Sequence, residues 1–309
     1  MPKLYIPEFV GISNRLEALP LAFAIRKAYG HDIVLDWREL DSFRIDDTRR
    51  GSVGILAKLG ALRLRNCDEA TFASLQGKKI LLRTLNGPTE RLDPIYHEVA
   101  RKLHLAPLLA RRVKETFNAL KGQPLVGVHV RHGDFKGADD SRYQVQGVEW
   151  PAVPIWWYER AMAAVASRQE NVRFFLAGTG DPALHAALNN NFDVFSLDID
   201  SPYGYKGPDH DSRVNPVADL FALACCPVML ATPISGYSHW AANVLGNPTA
   251  CIVPLPGATP AAPLMGVLRL YGERLPAWRY AGRHGTATPA PDGLLQSVDL
   301  SQAATTDWL

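Results

Sequence analysis

The sequence predicts an α/β protein built as two domains. Two observations carry that prediction. Short apolar runs, helical stretches and turns follow one another from the first residues to about residue 250, the pattern of parallel sheets covered by helices. The length of 309 residues, 47% of them apolar, also exceeds the usual extent of one hydrophobic core.

The elements follow in order. "KLYI" reads as a first strand, Gly11 to Asn14 as a turn, and "RLEALPLAFAIRKAYG" as a helix ending at Gly30. "DIVLDW" is a second strand, and residues 98–120 read as helix interrupted by Pro107. "KGQP" at 121–124 is a break, so the expected boundaries are 1–121, 122–284 and a loosely held Ala/Thr/Pro-rich tail, 285–309. The second half then shows three strand-to-loop junctions. "LVGVHVRHGD" enters the polar loop "FKGADDSRYQVQG", "NVRFFLAGTGDPALHAAL" turns into a helix capped by Asp181 with Pro182 at its first position, and "NPVADLFALACCPVMLATPISGYSHWAANVLG" runs helix, strand, hydroxyl-rich loop, helix. Ligands of an open parallel sheet sit beyond the carboxyl ends of its strands, so all three loops converge on one crevice.

Charge and cysteine usage narrow the function. Thirty-three basic against 31 acidic residues leave a net charge of +2, which argues against a nucleic-acid binder. The charge is uneven, with +7 over residues 1–121 and −5 over the rest, so the first half is expected to face an anionic acceptor or a membrane periphery, unless these are ordinary solvated faces. Cys67, Cys225, Cys226 and Cys251 have neither zinc-site spacing nor disulfide density and read as reduced, buried thiols. No signal-like apolar run opens the chain and no stretch of about 18 apolar residues occurs, so a soluble cytoplasmic protein is expected.

Arg131 is the sharpest single residue: a guanidinium at a strand end offers a planar fork to phosphate or carboxylate oxygens. Strand alternation puts His129 on the face of Arg131 and His132 on the other, which disfavours a shared metal; no metal and no cofactor are expected. Ser235, Gly236, Tyr237 and Ser238 precede a helix near His239 and suit a diphosphate. Asp219 could accept hydrogen bonds from a base such as guanine, or be an ordinary helix carboxylate. "WWY" at 156–158 reads as core packing, and Gly178 with Gly180 completes neither a dinucleotide fingerprint nor a P-loop.

Two resemblances bear on activity. Arg131, His132 and Gly133 resemble the tripeptide of histidine phosphatases, with His210-Asp211 similar to that family's acid–base pair. There the tripeptide belongs to the first strand of the domain, whereas about 120 residues precede it here. The other resemblance spans about 240 residues. "GVHVRHGD" resembles the HxRR-type first motif of the GDP-fucose-dependent fucosyltransferases, the superfamily of alpha-1,6-, alpha-1,2- and protein O-fucosyltransferases and the rhizobial Nod-factor enzyme. "WWYERAMAAV", "FFLAGTGDP" and "VADLFALACCPVMLATPISGYSHWAANVLG" resemble its later blocks in order, and "GISNRLEALPLAFAIRKAYG" its opening glycine-asparagine loop and helix.

This resemblance implies a GT-B fold, two Rossmann-like α/β halves facing a cleft, with the donor in the C-terminal half and no obligatory metal. It implies inverting transfer of fucose from GDP-fucose to a hydroxyl of a glycan, glycolipid or glycoprotein. It sets Arg131 on the β-phosphate, His129 beside the nucleotide, Asp219 on guanine, Ser235 to Ser238 on the diphosphate, and Asn14 at the substrate. A carboxylate about eight residues past the motif arginine resembles the family's base. Counting from Arg131 reaches Asp139, with Asp140 and Glu17 in reserve. The chain departs from the motif at His132, where a second arginine often stands. A non-catalytic nucleotide-sugar binder on the same fold is the remaining alternative.

Overall fold

The structure, a computed structural model, describes residues 1–131, 142–145, 148–151, 155–179, 182–199, 215–232, 235–245, 250–255, 257–263, 265–269, 288–289 and 306–309. It divides into two compact units, Met1–Ala106 and Pro107–Leu309. The elements of the first are β1 (Lys3–Pro7), α1 (Ile12–Tyr29), β2 (Asp32–Asp36), β3 (Phe43–Ile45), β4 (Thr48–Arg50), α2 (Ile55–Lys58), β5 (Leu62–Leu64), α3 (Glu69–Ala73), β6 (Ile80–Leu82), α4 (Thr89–Leu92), α5 (Tyr96–Ala100) and β7 (Leu103–Leu105). The second unit contains α6 (Pro107–Asn118), β8 (Leu125–Arg131), β9 (Arg142–Val145), β10 (Val148–Pro151), α7 (Ile155–Ala166), β11 (Arg173–Thr179), α8 (Pro182–Asn191), β12 (Val194–Phe195), α9 (Pro216–Leu223), β13 (Val228–Leu230), α10 (Gly236–His239), β14 (Ala250–Pro254), β15 (Met265–Arg269) and β16 (Thr288–Pro289).

The first unit is a five-stranded parallel sheet in the order β4-β2-β1-β6-β5. Leu4, Ile6, Ile33, Leu35, Ile80 and Leu82 are fully buried on one of its faces, as alternation within each strand requires. The helix α1 starts at Ile12, three residues before the expected start, so Ser13 and Asn14 belong to its first turn. It ends at Gly30, whose φ of 70° is the left-handed cap that glycine adopts without strain. Residues 98–120 are not one helix: β7 pairs antiparallel with β3, and Pro107 opens α6, where its missing N–H costs nothing.

The second unit centres on a sheet of order β12-β11-β8-β13-β14-β15-β16, parallel except at β15 and β16. Val126, Val128 and Val130 are completely buried and pack with Trp157, Met162, Val165 and Leu188 of α7 and α8. The opposite face meets α6 and α9. Phe117 of α6 packs edge-on against Phe175 of β11 and Phe195 of β12, which is why α6 joins this unit and the division falls earlier than the expected 121/122. Gly127 lets α9 approach β8 closely, since a Cβ there would lie 3.0 Å from Leu223 and 3.1 Å from the Cys226 sulfur. The segment read as a polar loop contains the strand β9, which pairs antiparallel with β10 just beyond it. The last residues are held as well: Thr306 is buried, the Trp308 ring stacks on Phe221 at 5.6 Å, and Lys114 Nζ donates to the Leu309 carbonyl. The loosely held tail is thereby corrected for 306–309. All four cysteines are free and buried; burial pushes Cys67 up to about 11 and Cys251 up to about 12, so these thiols are inert.

Candidate functional site

In the second sheet, β8 has β11 on one side and β13 on the other, and α7 carries the chain from β8 to β11. The strand order reverses there, and the carboxyl ends of β8 and β13 bound the crevice where open α/β sheets hold ligands. A connected set of buried polar groups occupies that position. Thr232, just past β13, donates from its hydroxyl to the His129 carbonyl at 3.0 Å and accepts from the Arg131 N–H at 3.1 Å. The Tyr158 hydroxyl donates to the same His129 carbonyl at 2.9 Å and lies 3.0 Å from Thr232 Oγ1. The two hydroxyls fix the last turn of β8 backbone, and with it the point from which Arg131 emerges.

The side chain of His129 continues the set. Its Nδ1 is 2.7 Å from Ser238 Oγ, and its ring stacks on Tyr237 with centroids 4.7 Å apart. Burial, reinforced by the nearby Arg131 charge, pulls the imidazole down to about 3, so it is neutral at physiological pH. The Tyr237 hydroxyl donates to the Pro216 carbonyl at 2.6 Å, joining α10 to the first turn of α9. That turn is closed by Asn215, whose Oδ1 accepts from the Val217 and Ala218 N–H groups. At the start of α10, Ser235 caps the helix by accepting from the Ser238 N–H at 3.4 Å. Both serine side chains are therefore directed at protein partners, and the Gly236 N–H, at the first helical position, has no acceptor within the helix.

Asp219 lies one turn into α9 and is 7% exposed. Among the described residues, no hydrogen bond or ion pair reaches its carboxylate. Desolvation alone pushes it up to about 8. A buried carboxyl group in that condition is costly to the fold and, once it gives up its proton, can accept two donors from a ligand.

The predicted residues thus divide. His129, the Arg131 backbone, Ser235, Gly236, Tyr237 and Ser238 form one network, and Asp219 stands on the helix to which Tyr237 is bonded. Asn14 is in the first unit, half-buried on the first turn of α1. Glu17, named as a reserve base, is buried there and accepts a short hydrogen bond from the Tyr96 hydroxyl. That bond makes it part of the first unit's packing and removes it from the list of bases. Asp139, Asp140, His132, Gly133, His210 and Asp211 lie outside the described residues. Tyr158, Thr232 and Asn215 were missed. A tyrosine in an otherwise apolar stripe needs a hydrogen-bond partner, and Asn215-Pro216 has the cap signature used for Asp181-Pro182, so two of the three left a signal.

No protein-family model matches the chain, and no curated protein matches it by sequence. Solved structures do. A mutant of Arabidopsis thaliana FUT1 in complex with GDP superposes with a TM-score of 0.56, covering 94% of this chain and 80% of that one at 10% identity. NodZ alpha-1,6-fucosyltransferase soaked with GDP-fucose gives 0.53, covering 87% and 100% at 14% identity. The fold is that of GT-B-like fucosyltransferases. POFUT1 in complex with GDP-fucose agrees, with a TM-score of 0.51 over 83% of this chain and 98% of that chain at 11% identity. A GT-B-like fold accounts for the two parallel-sheet units, and the likeness at these identities concerns the fold alone.

Proposed function

We propose that the protein is a glycosyltransferase that moves fucose from GDP-fucose to a hydroxyl of a glycan or glycoconjugate, with inversion and without a metal. The observation that carries this reading is the pairing, in one unit, of a buried Asp219 carboxyl that has no partner among the described residues with the clamped β8 terminus that presents Arg131. Guanine offers two adjacent donors on one edge, N1–H and the exocyclic amine, and a carboxylate is their natural acceptor. Arg131 and the Gly236 N–H supply the positive groups for the diphosphate, and solved proteins of this fold hold GDP or GDP-fucose.

The chemistry asks little covalent work of the protein. The C1–O bond to the β-phosphate breaks with its electron pair going to GDP, and Arg131 stabilises that charge; a charge-assisted contact contributes about 1.5 to 3 kcal/mol. The acceptor oxygen bonds to C1 from the opposite face, and its proton passes to a base, which we assign to Asp139 with Asp140 as the reserve. The neutral His129 holds Ser238 and Tyr237 in place. The test is GDP release from GDP-fucose with EDTA present, over a panel of glycan acceptors. Turnover that Asp139→Asn reduces about a hundredfold supports the reading. Nucleotide binding without any transfer points to the non-catalytic binder, and phosphate-monoester hydrolysis with phosphorylation at His132 points to the phosphatase.

Two expectations about location join the proposal. Peripheral membrane contact through the basic first half is supported by Ile55, Leu56 and Leu59, which are 80%, 81% and 62% exposed around Lys58. Co-sedimentation with anionic but not neutral vesicles tests it. Cytoplasmic residence is supported by the four free thiols and is tested by fractionation.

A further inference from the structure

The first unit holds a cavity of about 410 Å³, lined by Glu8, Asp36, Lys58, Arg63 and Arg83 among others. Register explains how these residues meet. Arg63 pairs with Leu81, Leu81 with Tyr5, and Tyr5 with Val34, so all four side chains share one face of the parallel sheet. Two residues further along, the same face carries Asp36 at the end of β2 and Arg83 just past β6. An ordinary crossover helix of three or so turns would fill that face. Here α2 is only four residues long, and Tyr5, Val34, Val53, Ala57 and Leu81 form a small apolar floor beside an open space. Lys79 Nζ donates to the Leu56 and Leu59 carbonyls at 2.7 and 2.9 Å, which holds the end of α2 in place.

The position and the charges both indicate a ligand. In this sheet β1 has β2 on one side and β6 on the other, so the cavity opens at the carboxyl ends where the strand order reverses. The two carboxylates have protein partners: Asp36 accepts from the Val53 N–H at 2.8 Å, and Glu8 accepts from Arg38 at 2.6 Å. Lys58, Arg63 and Arg83 make no hydrogen bond or ion pair through their side chains among the described residues. Three unpaired cations on one cavity exert a net attraction for an anion, while each carboxylate retains lone pairs for hydroxyl donors.

We propose that this cavity binds an anionic sugar, one that carries a carboxylate, sulfate or phosphate. Lys58, Arg63 and Arg83 take the anionic substituent, and Asp36 and Glu8 orient ring hydroxyls. The volume lies within the range of small-molecule sites.

The experiment uses the full chain and saturation-transfer NMR with glucuronic acid, glucose 6-phosphate, glucose and inorganic phosphate. The expected result is saturable binding of at least one anionic sugar, about tenfold tighter than glucose, weakening between about 0.05 and about 0.3 M salt. The Lys58→Ala/Arg63→Ala/Arg83→Ala variant is expected to lose about tenfold or more of that affinity while keeping its GDP affinity and unfolding temperature. All three side chains are exposed, so the variant should fold. Equal affinity for glucose, inorganic phosphate binding as tightly as the sugars, or no effect of the triple variant would each overturn the assignment, as would binding to anionic vesicles alone. Failure of GDP to bind, with anionic sugars still bound, would instead overturn the transferase reading and leave the cavity standing.

Discussion

In the first unit Arg15 lies 3.0 and 2.6 Å from the two carboxylate oxygens of Glu39, both side chains being almost fully buried, and its guanidinium sits 5.1 Å over the Trp37 ring. Glu17 likewise has Tyr96, and Asp36 has the Val53 amide. In the second unit, Asp219 is as deeply buried and has no such partner among the described residues. Similar carboxylates therefore stand in two physical situations. Where a protein cation or hydroxyl completes the group, its removal should be felt in folding. Where the acceptor is left open, its removal should be felt in binding.

The largest effect expected from this contrast is in the first unit. Glu39→Ala leaves a buried guanidinium unpaired and should cost about 3 to 5 kcal/mol, read as a lower denaturation midpoint, with GDP affinity unchanged in the folded protein. Asp219→Ala should do the reverse: it removes a costly buried group, so the midpoint holds or rises, while GDP affinity falls by about 1.5 to 3 kcal/mol in calorimetry. If Asp219→Ala unfolds the protein as Glu39→Ala does, the distinction between the two units fails.

Protonation sharpens the same point. Asp219 is raised from 3.8 to about 8, so the folded state holds the extra proton between those values, and stability from this group is full below about 4 and lost as pH rises through 8. His129 is lowered from 6.5 to about 3, so its contribution is full above 6.5 and is lost as pH falls toward 3. Between pH 6.5 and 8 only Asp219 of the pair acts: thermal stability should decline in the wild type, and Asp219→Asn should flatten that decline. Binding of GDP near pH 7 should release a proton, seen as a dependence of the binding heat on buffer ionisation enthalpy. The smallest effect is Tyr237→Phe, which removes the bond to the Pro216 carbonyl and should cost about 1 kcal/mol of stability and a few-fold in GDP affinity.

The strand alternation that put His129 and Arg131 on one face was legible because it is local, a period of two within a single run. The helix start after the hydroxyl-rich segment was legible only approximately: α10 opens at Gly236 with Ser235 as its cap, so Gly236, Tyr237 and Ser238 belong to the helix expected to begin near His239. The clamp on β8 was not legible, because Thr232 reaches the His129 carbonyl across 103 residues of sequence and Tyr158 across 29. Glu17 looked available as a base because nothing in its neighbourhood of sequence announces Tyr96, 79 residues on. The short strand β7 was hidden inside an apparent helix since Leu103, His104 and Leu105 fit either period, and pairing with β3 decides between them.

The central claim is that the second unit holds a guanine nucleotide through Asp219 and Arg131. Calorimetric titration of GDP-fucose, GDP and a UDP-sugar into wild type and Asp219→Ala, with EDTA throughout, tests it most directly. The account predicts micromolar binding of both guanine nucleotides to wild type, none of the UDP-sugar, and a loss of about tenfold or more in the variant. Equal binding of the UDP-sugar, or guanine-nucleotide binding that Asp219→Ala leaves unchanged, would contradict it.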